Sequence, residues 1–581
     1  MPAPTDRLPL AADFPDASED DWRALVAGVL RKSGSAALPE GADPIAGLSA
    51  VTYDGITIRP LYTSGPEPSL PRTPHDGAWD VRTWHRDPDA SAMRQAILND
   101  LETGATSLWL TLGEAGLAVD DLGAALEGVY LDMAPITLDA GDRTVEAARA
   151  LLDLARDVSA DQLHGSLGAD PIAWRARTGA DVGSPAELVE LARPYPYLRI
   201  VSVDATVYHD AGASDAEEIA VATAVGVAHL RALTEAGLSA DEALARIEFR
   251  FAVTADQFAS IAKLRAARQL WARVAELSGS DERTQRQHAV TSAVMMTRRD
   301  PWVNMLRTTI ACFAAAVGGA DAITVLPFDH AIGLPDDFAR RIARNTHAVL
   351  HDESSLGRVV DAAGGSSYVE TFTAHLAQKA WDRFTAIERA GGALAALDSG
   401  DLGTAIVATR DARADDIAHR RAPLTGLTEY ALPDEPSLSR VAAPAGPSGG
   451  QLAPARWAAE FEALRDRVEG ADGRPTVYLA TLGPLAQHSA RLGFATNLFN
   501  AGGFRLEVGE VDGFAASGAS VACLCSSDRV YELSAAEAIT QLRAAGARHV
   551  WLAGRADGAD GNVYAGCNAL EVLHTTEEAT R

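Results

Sequence analysis

LRIVSVD (198–204), AEEIAVATAVGVAHLRALTEAG (216–237) and RIEFRFAV (246–253) follow one another as strand, helix and strand. The outer runs are short and apolar, and the middle one repeats its apolar residues near every 3.6 positions. Further strand-like runs, TSLWLTL (106–112), APITLDA (134–140) and DAITVLP (321–327), alternate with the helical stretches VEAARALLDLARD (145–157) and FASIAKLRAARQLWARVAEL (258–277). Gly or Pro punctuates the joins. Repeated β-α units over about 61–400 predict an α/β fold built on a parallel (β/α)8 barrel. An open doubly wound sheet is the competing architecture, which periodicity alone does not exclude.

Outward from this core, residues 1–60 read as a helix-bearing arm. Ser18 can cap a helix with Asp21 at its N3 position; Trp22, Leu25, Val26, Val29 and Leu30 make an apolar stripe, and Gly34 supplies the stop. A lone amphipathic helix must pack on this chain or on another. On the other side, 401–473 reads as a helical and Pro/Gly-rich linker, with ALPDEPSLSRVAAPAGPSGGQLAPA (431–455) extended. Residues 474–581 read as a small flavodoxin-like domain with four strands, TVYLATLG, FRLEVG, SVACLCSS and RHVWLAGR.

In 581 residues, 47% are hydrophobic and 22% charged, as in an ordinary globular protein of more than one domain. No apolar run reaches the roughly 20 residues of a membrane span. The acidic start MPAPTDRLPLAADFPDASEDD lacks the basic and apolar regions of a signal peptide, so a cytoplasmic location is expected. A net charge of −28 argues against nucleic-acid and anionic-membrane partners, which recruit basic patches. Cys312, Cys523, Cys525 and Cys567 are too few for a disulfide framework and lack zinc spacing. Alternation places Cys523 and Cys525 on one face of a strand as small buried hydrophobes.

Asp300 to Thr308, Ala331 to Thr346 and Gly365 to Glu370, within RRDPWVNMLRTT to SSYVE (298–370), carry three family patterns. These are D-P-x-x-N-x-x-R-T, A-I-x-L-P-x-x-F-x-x-R-I-A-R-N-T and G-x-S-x-Y-V-E; KLRAARQLWA (263–272) is a fourth match. On these residues the chain closely resembles the adenosylcobalamin-dependent acyl-CoA mutases, methylmalonyl-CoA mutase in particular. The resemblance implies a TIM barrel followed by a cobalamin-type Rossmann-like domain, and interconversion of (R)-methylmalonyl-CoA and succinyl-CoA by a radical rearrangement.

It also implies where the chemistry belongs. Catalytic members ligate cobalt through the His of a D-x-H-x-x-G loop, the Asp orienting the imidazole and the Gly admitting the corrin. The equivalent here is TLGPLAQHSARLG (481–493), where His488 has Ala486 two places before it and Arg491 three places after. In the barrel, the W-x-x-R-x-Y pattern becomes Trp79 to Trp84, so Trp84 replaces the phenol. The G-T-I-Q-N-D strand becomes Gly165 to Asp170, with Gly168 in place of the Gln. The His of G-Y-H-x-x-E-A-G aligns with Val207; Tyr208 and His209 lie beside it but off the required face if the segment alternates as a strand. The family's arginine aligns with Thr178, one residue from Arg177.

A radical enzyme must hold a thioester carbonyl and a migrating group while excluding water, so joint loss of these residues is expected to end catalysis. The expectation is therefore a non-catalytic subunit of a heterodimer, with no catalytic, cofactor-binding or metal residues of its own. Adenosylcobalamin would sit on the homologous large subunit, and the complex would bind the acyl-CoA. Arg250 and His288, at family positions near the acyl-CoA channel, are read as barrel supports before CoA contacts. Ser526 and Ser527 are read as capping residues before cofactor contacts. Gly318, Gly319, Gly364 and Gly365 lack phosphate-loop spacing and read as turns. Two alternatives stand beside this reading: an active mutase of other acyl-CoA specificity, and a CoA-ester binding or regulatory protein.

Overall fold

A computed structural model describes residues 17–32, 43, 45–66, 79–471 and 473–581. Its centre is a closed barrel of eight parallel strands: β1 (Asp80–His85), β2 (Ser107–Thr111), β3 (Ile136–Asp139), β4 (Gly165–Ala169), β5 (Leu198–Asp204), β6 (Ile247–Val253), β7 (Arg286–Thr291) and β8 (Ala322–Thr324). Consecutive strands are neighbours, and β8 closes on β1 through Ala322 and Ile323 opposite Asp80 and Val81. The open doubly wound alternative is thereby excluded for this part of the chain.

Strand alternation sorts each side chain to the lumen or the helices. In β2, Leu108 and Leu110 join an apolar cluster with Met93, Ile97, Ile136, Leu138 and Leu151, while Trp109 turns inward. In β6, Phe249 meets Trp271 of helix Gln257–Leu277 edge-on at 4.6 Å, while Glu248 and Arg250 point into the lumen. Strands β1, β4 and β7 carry no apolar run (DVRTWH, GSLGA, RQHAVT) because their lumen faces are polar.

The motifs shared with the mutases hold this frame together. Arg265 donates to Glu370 at 2.5 Å and pairs with Asp361. Arg268 donates to Gln287 and to the Gly318 carbonyl, both at 2.7 Å. Asn304 bonds the Thr297 and Phe328 carbonyls at 2.8 Å, and Arg307 reaches the Thr425 carbonyl at 2.7 Å. Gly319 ends helix Val303–Gly318 in the left-handed conformation, φ +82°. Lys263 is fully buried, 2.7 Å from Glu218 and 3.0 Å from Asp215.

The segment 431–455 has no helix or strand, but its extended backbone is tied down across the C-terminal mouth of the barrel. Gly450 donates to Arg177, Leu452 to Ala176 and Ala455 to Asp210, at 2.9, 3.1 and 2.8 Å, and Leu452 is buried. Beyond it, β9 (Thr476–Thr481), β10 (Arg505–Glu510), β11 (Val521–Cys525), β12 (His549–Ala553) and β13 (Gly561–Val563) form one parallel sheet in the order β10-β9-β11-β12-β13. This is flavodoxin-like order. The sheet has five strands where four were expected; β13 is three residues of GNV, with no apolar run to mark it. Cys523 and Cys525 share one apolar face of β11, while Ala522 and Leu524 take the other.

Helix Glu19–Lys32 begins as expected: the Ser18 hydroxyl accepts from the Asp21 amide, and the Asp21 carboxylate accepts from the Ser18 amide, both at 3.1 Å. Among the described residues its apolar stripe is only partly covered: Leu25 is 71% and Val29 64% exposed, while Trp22, Val26 and Leu30 are half-buried. Gly34 lies outside the described residues. No helix among the described residues is long and apolar enough to cross a membrane.

Replacing Lys263 by Met would strand Glu218 in the core without a cation. The variant should lose about 3–5 kcal/mol of stability in denaturant unfolding; a loss below about 1 kcal/mol would show that water or another group compensates Glu218.

Candidate functional site

The lumen of the barrel is filled from within. Near its N-terminal end Arg82 donates to Glu248 (3.0 Å), Ser107 (3.1 Å) and Asp80 (3.2 Å), and Ser202 joins Glu248 to Ser166. Above this layer Trp84 and Trp109, opposite each other on β1 and β2, stack with centroids 4.5 Å apart and planes 11° from parallel. The Arg250 guanidinium lies 4.0 Å from the centre of the Trp109 ring and donates to Asp204 at 3.2 Å. His288 meets Trp109 edge-on and bonds Thr324 at 2.7 Å. Burial, then Arg82 and Arg250, push the His288 pKa well down, so it is neutral. Arg250 and His288 thus support the barrel wall and its filling.

Strand-end loops surround a cavity of about 430 Å³ above the tryptophans, roofed by Pro444, Pro447 and Pro454 of the tied-down segment. Arg177 lines it, its guanidinium 3.6 Å from Asp204, whereas Thr178 donates back to the Trp174 carbonyl at a helix end. Gly168 stands at φ +73° in the irregular pairing of β4 with β5, and a Cβ there would lie 1.8 Å from the Leu138 carbonyl oxygen. Val207, Tyr208 and His209 belong to the helix Thr206–Ala211, so strand alternation does not govern them. His209 bonds Ser292 at 2.8 Å and faces Glu218 at 3.5 Å.

In the small lobe, the crevice where strand order reverses lies between β9 and β11, the place where such sheets take ligands. It is closed by the chain's own side chains. Arg491 reaches from helix Leu485–Ala501 to the Ser526 carbonyl at 2.8 Å and to Asp528 at 2.6 Å. Its guanidinium so fills the space over β12 that a Cβ on Gly554 would lie 2.6 Å from it. The Ser526 hydroxyl bonds the Leu482 carbonyl across the crevice at 2.8 Å. The Tyr531 hydroxyl accepts from the Ser526 amide and lies 2.9 and 2.8 Å from the Leu524 and Ala553 carbonyls, its one proton shared between them, which binds the ends of β11 and β12 together. His488 sits in the first turn of the helix with Nδ1 bonded to the Gly483 carbonyl at 3.1 Å. Ser527 occupies the N-cap position of the next helix but makes no capping bond; its hydroxyl goes to Gln487 at 3.3 Å. The capping reading of the two serines is corrected accordingly: both bridge to the β9–helix segment.

Among the described residues, no three His, Cys, Asp or Glu side chains come together as metal ligands. Sequence reasoning missed Asp139, Asp210, Arg86 and His330 at the cavity wall, since each sits in a strand-end loop or terminus that only barrel closure gathers. Position at the C-terminal end of a strand is the one signal that could have found them.

A barrel of this kind, its C-terminal mouth walled by strand-end loops and joined to a flavodoxin-like lobe, is the architecture of the cobalamin-type acyl-CoA mutases. The family model described as methylmalonyl-CoA mutase matches residues 77–445, and the chain belongs to that family. It is 52% identical to a methylmalonyl-CoA mutase small subunit of Streptomyces virginiae, over 99% of this chain and 98% of that one. A probable small subunit of Mycobacterium bovis is 43% identical over 92% of each chain. The small subunit of Propionibacterium freudenreichii subsp. shermanii is 39% identical over 99% of this chain and 97% of its own.

Two expectations follow from the geometry. Gly168→Gln should lower the thermal midpoint, by the equivalent of at least about 2 kcal/mol, because the left-handed backbone and the Leu138 carbonyl both oppose a side chain. An unchanged midpoint would mean that β4 yields locally. For Asp210, burial pushes the carboxyl up to about 6; His209 and Arg177 pull it down, Asp204 and Glu218 push it further up. A carboxyl held above its unfolded value of about 4 costs stability progressively as pH rises from about 4 to about 6. Asp210→Asn should therefore melt higher than the parent at pH 7 and match it near pH 4 in a calorimetric pH series.

Proposed function

We propose that this chain is the non-catalytic subunit of a heterodimeric methylmalonyl-CoA mutase, a structural partner for a homologous large subunit that carries cobalamin and the active site. The small-subunit names of its relatives support a two-chain assembly. The partly uncovered stripe of helix Glu19–Lys32 supports an arm that lays Leu25 and Val29 on the partner. The residues divide as proposed for domains: an arm to about 60, the barrel to about 400, a linker to 473 and the small lobe after it.

The observation that carries the reading is Arg491. A cobalamin lobe needs an open crevice, an oriented histidine and a small residue beside the corrin. Here the Ser526 hydroxyl bridges the crevice to Leu482, and the Arg491 guanidinium, bonded to Ser526 and Asp528, lies over the ends of β11 and β12 beside it. Ala486 offers His488 no carboxylate; its Nδ1–H goes instead to the neutral Gly483 carbonyl, a weaker partner for raising the basicity of the imidazole. The adjoining hollow is lined by Glu510, Asp512 and Glu537 without a cation among its lining residues, which disfavours a phosphate-bearing tail. These residues do not fit cobalamin, and no catalytic step is routed through it on this chain. In the barrel, the Trp84–Trp109 stack and the Arg82–Glu248 pair fill the lumen, which weighs against both an active mutase and a CoA-ester binder.

Titrating the purified chain with micromolar cobalamin should leave the corrin spectrum unchanged, and co-expression with a large subunit should yield a stable complex that retains cobalamin. A base-off, histidine-ligated spectrum on the single chain, or turnover by it, would overturn the proposal.

A further inference from the structure

The cavity at the barrel mouth is electrically divided. One wall carries Arg86 after β1, His330 after β8 and Arg456, which follows the segment that crosses the mouth. His330 is held neutral there: burial, then Arg86 and Arg456, push its pKa down to about 3, and no carboxylate counters them. Arg456 is paired with Glu462 at 2.5 Å. Arg86 has no carboxylate partner among the described residues. Its guanidinium lies 4.8 Å from the centre of the Trp84 ring, half-buried, with burial alone lowering its pKa. Stacked on an indole, an arginine keeps its N–H fork free in the plane of the guanidinium, the arrangement that grips a carboxylate with two bonds.

The opposite wall, from the ends of β3, β4 and β5, carries Asp139, Asp204 and Asp210 against Arg177, with Arg250 beneath. Asp204 takes both guanidiniums, at 3.6 and 3.2 Å. Asp139 and Asp210 have no ion pair among the described residues, and burial raises both of their pKa values. Among the described residues, three carboxylates face two cations on this side, and Arg86 stands without a carboxylate partner on the other. Neither a simple anion nor a simple amine satisfies both walls. A volume of about 430 Å³ is that of a small-ligand site, and Val290, Val294 and Leu326 supply apolar wall between the poles.

We propose that this cavity binds a small zwitterion, an amino acid whose carboxylate seats on Arg86 and whose ammonium faces Asp139 and Asp210. The site is the chain's own and stands whether or not the chain is a non-catalytic subunit. The roof contributes Pro444 and Pro447, so a bound ligand would also fasten the segment that crosses the barrel mouth.

Calorimetric titration of the full chain with glycine, 3-aminopropanoate, 4-aminobutanoate and 6-aminohexanoate, set against butanoate and butylamine, tests this. At least one amino acid should bind about tenfold or more tightly than either single-charge compound. Arg86→Met and Asp210→Asn should each weaken it about tenfold. The Asp210→Asn protein is expected to melt higher than the parent without ligand, so its loss of binding could not come from unfolding. Near-ultraviolet dichroism confirms that Arg86→Met keeps the tryptophan stack. The proposal is overturned if no amino acid binds at millimolar concentration, if butanoate or butylamine matches the best of them, or if either substitution leaves affinity unchanged.

Discussion

An eight-stranded barrel encloses a lumen that side chains must fill, and the way this lumen is filled governs the rest of the molecule. Two tryptophans lie flat on each other across β1 and β2, a guanidinium covers the second, and a buried Arg82–Glu248 pair occupies the layer below. Each polar atom placed inside needs a partner in the low-dielectric interior. Partners for Arg82, Glu248, Arg250 and His288 come from strands far apart in sequence: Ser107, Ser202, Asp204, His288 and Thr324. The filling thereby couples strands β1, β2, β5, β6, β7 and β8 beneath the cavity at the mouth.

The family resemblance and the departures from it fall on different parts of this structure. Lys263, Arg265, Arg268, Asn304, Arg307 and Glu370, which carry the shared motifs, form ion pairs and carbonyl bonds between helices and loops. They set the skeleton and touch no cavity at the mouth. The departures from the catalytic pattern fall elsewhere: Trp84 stacks in the lumen, Gly168 stands where a strand crossing admits no side chain, and Arg491 lies over the ends of β11 and β12 in the small lobe. A fold can keep its frame while its openings close, since the two depend on separate residues.

Legibility in the sequence followed the same physics. Strands with both faces apolar, such as SLWLT and IEFRFAV, were readable because helices cover one side and packed lumen the other. DVRTWH, GSLGA and RQHAVT were not readable as apolar runs, since their inward residues are polar and matched only by distant partners. Alternation was applied to Tyr208 and His209, which it does not govern, because the helix Thr206–Ala211 follows β5 directly and the burial of its residues is tertiary. Composition marked 431–455 as extended yet could not show that its backbone is bonded to Ala176, Arg177 and Asp210. The departures at Ala486, Trp84 and Gly168 could be read from residue types alone. What Arg491 holds, and the division of charge at the barrel mouth, required coordinates.

The paired thiols of β11 have a practical consequence. Cys523 and Cys525 lie in the apolar layer beneath helix Leu485–Ala501, and Cys312 and Cys567 are buried as well. Burial raises the Cys523 pKa well above that of a free thiol, so little thiolate is present to react. Alkylating reagents can then reach the sulfurs of Cys523 and Cys525 only when the sheet opens, and the labelling rate of those two becomes a clock for how often the small lobe comes apart.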